Sequence, residues 1–343
     1  MAFIDGIAVT VTLPTIQGAL GATALDVQWV SAAYALFLAA LILIGGSLGD
    51  QLGRRRTFAA GVVLFAVASV LCGLAQSPEQ LIVARAVQGA GGALLVPNSL
   101  AIIGASFEEE RRGKAIGAWA SFTGIAMVLG PTLGGYFAEN LSWRLVFFIN
   151  APLAVAALAI TLARVPESRD KVARRLDLPG VALAAVGQGG VVFGLLESSR
   201  TGLGDPLVVG SLVLGVVALV AFVVVEGRVR KPMVPLSLFR SKDFSGANAF
   251  TLLFYFALGG TLFFLPFNLI WVQGYSATAA GAAVVPAILI VCLLSRHVRV
   301  LTDRHGARLP LVVGPVIATV GFALFAVPGS RAAPTGRRSS RRQ

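Results

Sequence analysis

Histidine and cysteine are nearly missing from this chain of 343 residues, which has two of each. His297 and His305 stand in or beside one loop with no further ligand residues, and Cys72 and Cys292 both lie in apolar runs. That leaves no metal site, no structural disulfide and no nucleophile or acid–base cluster for an enzyme, and the cysteines read as small core residues. Charge is scarce as well. Charged residues make up 13% of the chain and apolar residues 56%, against roughly 25% and 45–50% in soluble domains. A soluble fold cannot hide that much apolar surface, so lipid is the solvent for much of this one. The apolar runs are continuous and do not alternate with polar residues, which excludes a β-barrel. The first run lacks a basic leader, so no cleavable signal peptide is expected. Gly89-Ala90-Gly91-Gly92 lacks the Gly-x-Gly-x-x-Gly spacing and follows no strand, so it is no dinucleotide loop, and no cofactor is expected.

What the sequence does have is long apolar runs. A spanning helix needs roughly 20 of them in a row. The runs predict an all-α membrane protein with spans at about 3–20, 28–48, 57–76, 79–104, 115–138, 145–164, 177–197, 207–226, 244–272, 276–300 and 309–328. The net charge of +12 sits in the short loops between them, and no aromatic-basic strip accompanies it, so nucleic acid is not a partner. With the N-terminus inside, the cytoplasmic loops carry twenty of the 28 Lys and Arg residues, and the opposite loops carry only Arg144 and Arg200. That asymmetry sets the orientation. The Arg-rich stretch after Pro328 falls on the wrong side for its charge and reads as a disordered or out-of-frame tail.

Ionisable groups inside hydrocarbon are costly and functional by default. Two stand out: Asp5, followed by Leu13-Pro14 in the first span, and Arg85 in the fourth span, followed by Gln88 and Gly89. Arg85 keeps its charge at any ordinary pH. A carboxylate beside it, drawn one way by that charge and the other by burial, can load and release a proton. Two plainer readings stand beside these: Asp5 at the cytoplasmic interface capping its helix, and Arg85 in a structural ion pair or carbonyl clamp. The fifth span carries Gly130-Pro131 and Gly134-Gly135, small residues at a bundle interface that suit either a gate or simple tight packing.

The hairpin from Gly46 through Asp50, Gly53, Arg54, Arg55 and Arg56 to Phe58 joins two spans with an Asp, a turn glycine and an arginine cluster. Asp50 can cap the next helix or pair with arginines of a neighbouring loop, Gly53 permits the turn, and the arginines anchor the inner face. An Asp-x-x-Gly-x-Arg pattern returns at Asp303–Arg308 between two further apolar runs. The recurrence points to an internally repeated transporter.

Taken together, these residues resemble the major facilitator superfamily, and most closely its fourteen-span drug:proton antiporters. Gly46 to Phe58 matches the superfamily's loop 2–3 signature, and Arg85, Gln88 and Gly89 match the fourth-span signature, whose arginine the family associates with proton coupling. Gly130, Pro131, Gly134 and Gly135 match the fifth-span antiporter signature, with Ala126 where the family usually has Gly. Asp5, Leu13 and Pro14 match the first-span signature of the fourteen-span branch. The resemblance implies a helical bundle at 1–165, two linker spans at 166–230, a partial second bundle at 231–328 and an aberrant tail at 329–343. Eleven spans stand where fourteen are expected, so the chain is expected to be a C-terminally truncated member with its true start in question. The implied activity is proton-coupled export of amphiphilic drugs or antibiotics across the cytoplasmic membrane by a monomer with a cytoplasmic N-terminus. In that scheme Asp5 and Arg85 couple the proton, while Gln88, Gly89, Gly130, Pro131, Gly134 and Gly135 bind substrate or gate. Gly46, Asp50, Gly53, Arg54 and Arg55 form the inner-gate loop. An inactive fragment and a symporter or uniporter of the same fold are the alternatives.

Overall fold

The structure is a computed structural model that describes residues 1–169, 178–229, 236–305 and 308–326. Among these residues there is no strand, and the helices run in chain order as α1 (Ala2–Leu20), α2 (Ala24–Leu52), α3 (Arg54–Leu74), α4 (Pro78–Ser106), α5 (Glu109–Asn140), α6 (Leu145–Phe148), α7 (Asn150–Arg164), α8 (Leu178–Thr201), α9 (Pro206–Arg228), α10 (Lys242–Phe267), α11 (Ala277–His305) and α12 (Arg308–Ala326). With α6 and α7 making one length and α10 continuing into a π turn at Asn268–Val272, they form the eleven lengths expected from the apolar runs. Eight of them, counting α6–α7 and α10 with its π turn as one each, are long and apolar enough to cross a bilayer.

Local chemistry starts and stops these helices. Thr23 and Asp26 form a reciprocal capping box at the start of α2. The Ser77 hydroxyl accepts from Gln80 N ahead of Pro78, and the Asp205 carboxylate accepts from Leu207 N and Val208 N ahead of Pro206. α1 ends on Gly21 in the left-handed conformation.

The hairpin departs from the sequence reading. The turn shrinks to one residue: α2 runs on to Leu52, α3 begins at Arg54, and Gly53 alone, at φ +114°, breaks the helix. The reason lies in length. At 29 residues, α2 extends to about 43 Å, beyond the roughly 30 Å of hydrocarbon, so its last turns carry the motif out to the headgroups.

Lipid tails are as apolar as leucine, so helices here are held by close approach rather than by a hydrophobic gradient. α4 sits in the groove between α2 and α3, and glycines make the approach possible. A Cβ on Gly45 would meet the Ala93 carbonyl, one on Gly89 the Tyr34 carbonyl, and one on Gly91 the Phe65 nitrogen at 2.7 Å. α8 and α9 form their own hairpin, with Gly190 on α8 and Gly215 on α9 backbone to backbone, and α8 docks on α2 with Phe193 against Trp29. α9 turns Val213, Val216, Val217 and Val220 outward, as a lipid-facing helix does.

The chain divides into two units. Residues Met1–Leu289 form one and Ile290–Gln343 the other, and α12 lies within the second. The repeated Asp-x-x-Gly-x-Arg pattern has Gly306 and Ala307 outside the described residues, as is the whole stretch 329–343.

Candidate functional site

Four helices bring one polar cluster into the apolar interior of the first unit. α1 supplies Asp5, α3 Ser69, α4 Arg85 and Gln88, and α7 Asn150, each at most 1% exposed. Asp5 and Arg85, 80 residues apart in the chain, form an ion pair at 2.5 Å from Arg85 Nη1 to Asp5 Oδ2. Asp5 therefore pairs across helices and does not cap its own. Its other oxygen, Oδ1, accepts from Gln88 Nε2 at 2.9 Å and from Asn150 Nδ2 at 2.8 Å.

Arg85 is held on several sides. Its Nε donates to the Val30 carbonyl of α2 at 3.1 Å, its Nη1 also donates to Gln88 Oε1 at 2.6 Å, and its guanidinium lies over the Tyr34 ring at 4.2 Å. Tyr34 in turn donates its hydroxyl to the Ala2 carbonyl of α1 at 3.3 Å. Gln88 is committed at both ends: Nε2 also donates to Ser69 Oγ at 2.7 Å, and Ser69 Oγ donates to the Phe65 carbonyl at 2.8 Å. A buried charge survives only when paired and fully hydrogen-bonded. Here one carboxylate and one guanidinium neutralise each other, and the Gln88 and Asn150 amides and the Val30 carbonyl add further partners. Gln88 and Gly89, assigned to substrate or gating by resemblance, sit in this packing: the Gln88 side chain is spent on the ion pair, and Gly89 lets α4 approach α2.

The fifth-span motif faces two ways. Gly130 and Gly134 seat α5 on α1 beside Asp5: a Cβ on Gly130 would lie 3.1 Å from the Ile4 carbonyl, and one on Gly134 would lie 2.7 Å from the Ala8 carbonyl. Pro131 and Gly135 face α11 instead. A Cβ on Gly135 would strike the Ala277 carbonyl, and one on Gly281 would strike the Pro131 carbonyl. Glu139 closes the same seam by accepting from Thr278 N at 2.9 Å. α5 thus connects the carboxylate-bearing stretch of α1 to α11.

At the hairpin, Asp50 pairs with Arg54 of its own motif at 2.8 Å. The partner from the neighbouring segment is an acid instead: Glu167, just beyond α7. Its Oε1 accepts from Arg55 N at 3.0 Å, and its Oε2 lies 3.8 Å from Arg55 Nε and 3.6 Å from Arg56 Nε. The Ser168 carbonyl accepts from Arg54 N at 2.9 Å, and the Val165 carbonyl accepts from Arg55 Nη1 at 3.2 Å. Deeper in, Asn98 of α4 donates to the Gly45 carbonyl at 2.8 Å, and Gly46 packs on Pro97. Gly53 carries both constraints at once, because a Cβ there would lie 2.6 Å from Glu167 Oε1 and φ is positive. Gly53→Val is therefore expected to cost about 2–4 kcal/mol locally. Thermal unfolding in detergent should read that loss, and a Gly53→Val protein that melts with wild type would show that the turn accepts a side chain.

Two of the cavities walled by described residues bear on this unit's helices. One, of about 300 Å³, lies beside the start of α1 and is walled by Phe58, Val62, Leu95, Trp119 and Phe122. The other, of about 190 Å³, lies between α1, α2 and α10 and is walled by Gln17, Gln28, Phe263, Phe267 and Trp271. Among the described residues no group of three or more His, Cys, Asp or Glu could hold a metal ion.

Asn150, Ser69, Tyr34 and Glu167 were not singled out in the sequence. Asn150 follows a run of large apolar residues, Leu145 to Ile149, where a lone amide carries a weak but readable signal. Glu167 lies in a loop read only for its Lys and Arg residues.

Comparison with known proteins shows the family and the fold of the chain. The profile of the Major Facilitator Superfamily matches residues 1–335. The multidrug resistance protein Stp of Mycobacterium tuberculosis is 35% identical over 326 residues, which cover 95% of this chain and 61% of that protein. The tetracenomycin C resistance and export protein of Streptomyces glaucescens is 34% identical, covering 94% and 60%. The puromycin resistance protein pur8 of Streptomyces alboniger is 38% identical, covering 94% and 64%. The chain thus spans about three fifths of the length of these three curated relatives. Among solved structures, a peptide transporter POT in complex with sulfate superposes with a TM-score of 0.63 at 18% identity, covering 95% of this chain and 73% of that one, a likeness of fold. The chain belongs to the major facilitator superfamily and is a multi-pass membrane protein of that fold.

Proposed function

We propose that this protein exports amphiphilic drugs or antibiotics across the cytoplasmic membrane in exchange for protons, with its N-terminus in the cytoplasm. The relatives' names support drug export. The observation that carries the coupling is the buried Asp5–Arg85 pair, a titratable acid facing a fixed cation in the membrane interior. Residues 1–165 act as one bundle, 166–230 as a linker hairpin and 231–328 as three helices of a second bundle, with substrate bound near mid-membrane between the bundles. A proton on Asp5 neutralises its carboxylate and loosens α1 from α4, while Arg85 keeps the Val30 carbonyl, Gln88 and Tyr34. The glycine seats of α5 pass that shift from α1 to α11, and the bundles rock.

The test uses the full-length gene product in everted membrane vesicles, with ethidium as a planar cationic probe and an imposed pH gradient. Asp5→Asn is expected to lower gradient-driven transport by about 100-fold or more, the scale of a lost proton-transfer group. Ethidium binding should hold within about threefold, because the probe is not bound by this side chain. Wild-type gradient-driven transport by Asp5→Asn protein would remove Asp5 from the coupling.

A further inference from the structure

One polar atom beside Asp5 is left over. Asn150 is fully buried, its Nδ2 donates to Asp5 Oδ1, and its Oδ1 has no hydrogen-bond partner. A buried amide oxygen without a donor is costly and calls for an explanation.

The other groups around the carboxylate show where a proton can go. Oδ2 faces the Arg85 guanidinium, which has donors and no acceptor and does not deprotonate. A proton on Oδ2 would meet an N–H head on, so it is seated on Oδ1. Both groups bonded to Oδ1, Gln88 Nε2 and Asn150 Nδ2, are donors. One of them must turn to offer an oxygen. Turning Gln88 breaks its bonds to Ser69 and Arg85. Turning Asn150 breaks nothing beyond the bond being replaced, and it brings the partnerless Oδ1 to the new O–H.

We propose that Asn150 is the positioning residue of the proton site, its amide donating an N–H to the ionised Asp5 and, after a half-turn about its terminal torsion, accepting the O–H of the protonated acid. The step forms one bond, from an arriving proton to Asp5 Oδ1. No other covalent bond changes, and one N–H···O hydrogen bond is exchanged for one O–H···O. An amide suits this position because it is the smallest uncharged side chain with separate donor and acceptor ends. The charged and titratable groups facing Asp5 among the described residues are Arg85 from α4, Tyr34 from α2, Cys72 from α3 and the Met1 amine on its own helix. The inference rests on Asp5 being the proton carrier.

The test is an infrared difference spectrum of the full-length gene product between acid and alkaline pH, read beside the pH profile of ethidium export. Wild type should show a carboxylic-acid C=O band that disappears in Asp5→Asn. In Asn150→Leu the band should move to higher wavenumber, as a less strongly hydrogen-bonded acid absorbs. The export midpoint should move up by about one pH unit, since the ionised form loses a charge-assisted donor and the acid only a neutral acceptor. Asn150→Ser, whose hydroxyl both donates and accepts, should restore band and midpoint together. Should Asn150→Leu fail to accumulate, Asn150→Ala removes the same groups without added bulk and is read the same way. A band lost in Asp5→Asn but unmoved by Asn150→Leu or Asn150→Ala overturns the role of Asn150 alone. A band that survives Asp5→Asn overturns the reading of Asp5, and this inference with it.

Discussion

An Arg85→Met protein is expected to be about 3–5 kcal/mol less stable than wild type, because removing one partner of a buried pair strands the other. The carboxylate of Asp5 would keep only Gln88 and Asn150 as donors, the Val30 carbonyl would lose its Nε–H, and the Tyr34 ring would lose its cation. Methionine fills much of the same volume, so most of the loss is electrostatic rather than a cavity. The double variant Asp5→Asn/Arg85→Met separates the two. With no charge left to strand, it should regain most of the lost stability, as exchanges of both partners of a buried pair often do. It should still transport nothing against a gradient. Thermal unfolding in detergent and the amount of inserted protein report the first effect, and the vesicle assay reports the second. Arg85→Met protein that melts with wild type, or a double variant no better than the single one, would show that the pair is not what holds α1 to α4.

The parts of this arrangement that sequence could show are those in which a residue violates the expectations of its solvent. Runs of apolar residues gave the eleven lengths because lipid demands them. Asp5 and Arg85 stood out because charge in hydrocarbon is expensive. Their pairing could not be read from either run, since 80 positions of chain separate them and register between helices is set by packing. Asn150, Ser69 and Tyr34 stayed hidden for a different reason. Uncharged polar side chains are common in membrane helices, and only three-dimensional adjacency makes Asn150 exceptional. The hairpin was recognised by its residues but misjudged in shape, because a turn glycine flanked by charge looks like a loop. In the structure the flanking helices run almost to Gly53. Glu167 was hidden by its neighbours: the loop was read for its Lys and Arg residues, and the acids among them, Glu167, Asp170 and Asp177, were passed over, while the Glu167 carboxylate in fact binds the start of α3. The motif of α5 was legible as small residues at an interface. That its glycines alternate between two interfaces, α1 and α11, follows from helical periodicity only once both partners are known.

That alternation leads to the second large effect. Gly135→Val and Gly281→Val are each expected to weaken the α5–α11 seam by about 2–3 kcal/mol, the scale of overpacking where neighbours cannot yield. The atoms they would strike are main-chain carbonyls, those of Ala277 and Pro131. No rotamer change can clear them. The whole helix must move away, and the Glu139 bond to Thr278 N moves with it. On the proposed topology α5 runs outward, so this seam closes the outer side. A variant that penalises only the closed seam shifts the population toward the parted one by roughly 30- to 150-fold. The Thr278 hydroxyl, buried in the seam, marks the place to look. In a background without Cys72 and Cys292, Thr278→Cys should react slowly with an impermeant thiol reagent outside intact cells. With Gly135→Val added, labelling should accelerate by about tenfold or more, and export should fall because the outer side no longer closes. Gly259→Val is the control, since nothing lies within 4 Å of a Cβ at that position. It should change neither reading. Unchanged labelling in Gly135→Val, with export at the wild-type rate, would mean that α5 and α11 do not part during transport, and the glycines of the fifth span would then be packing residues and no gate.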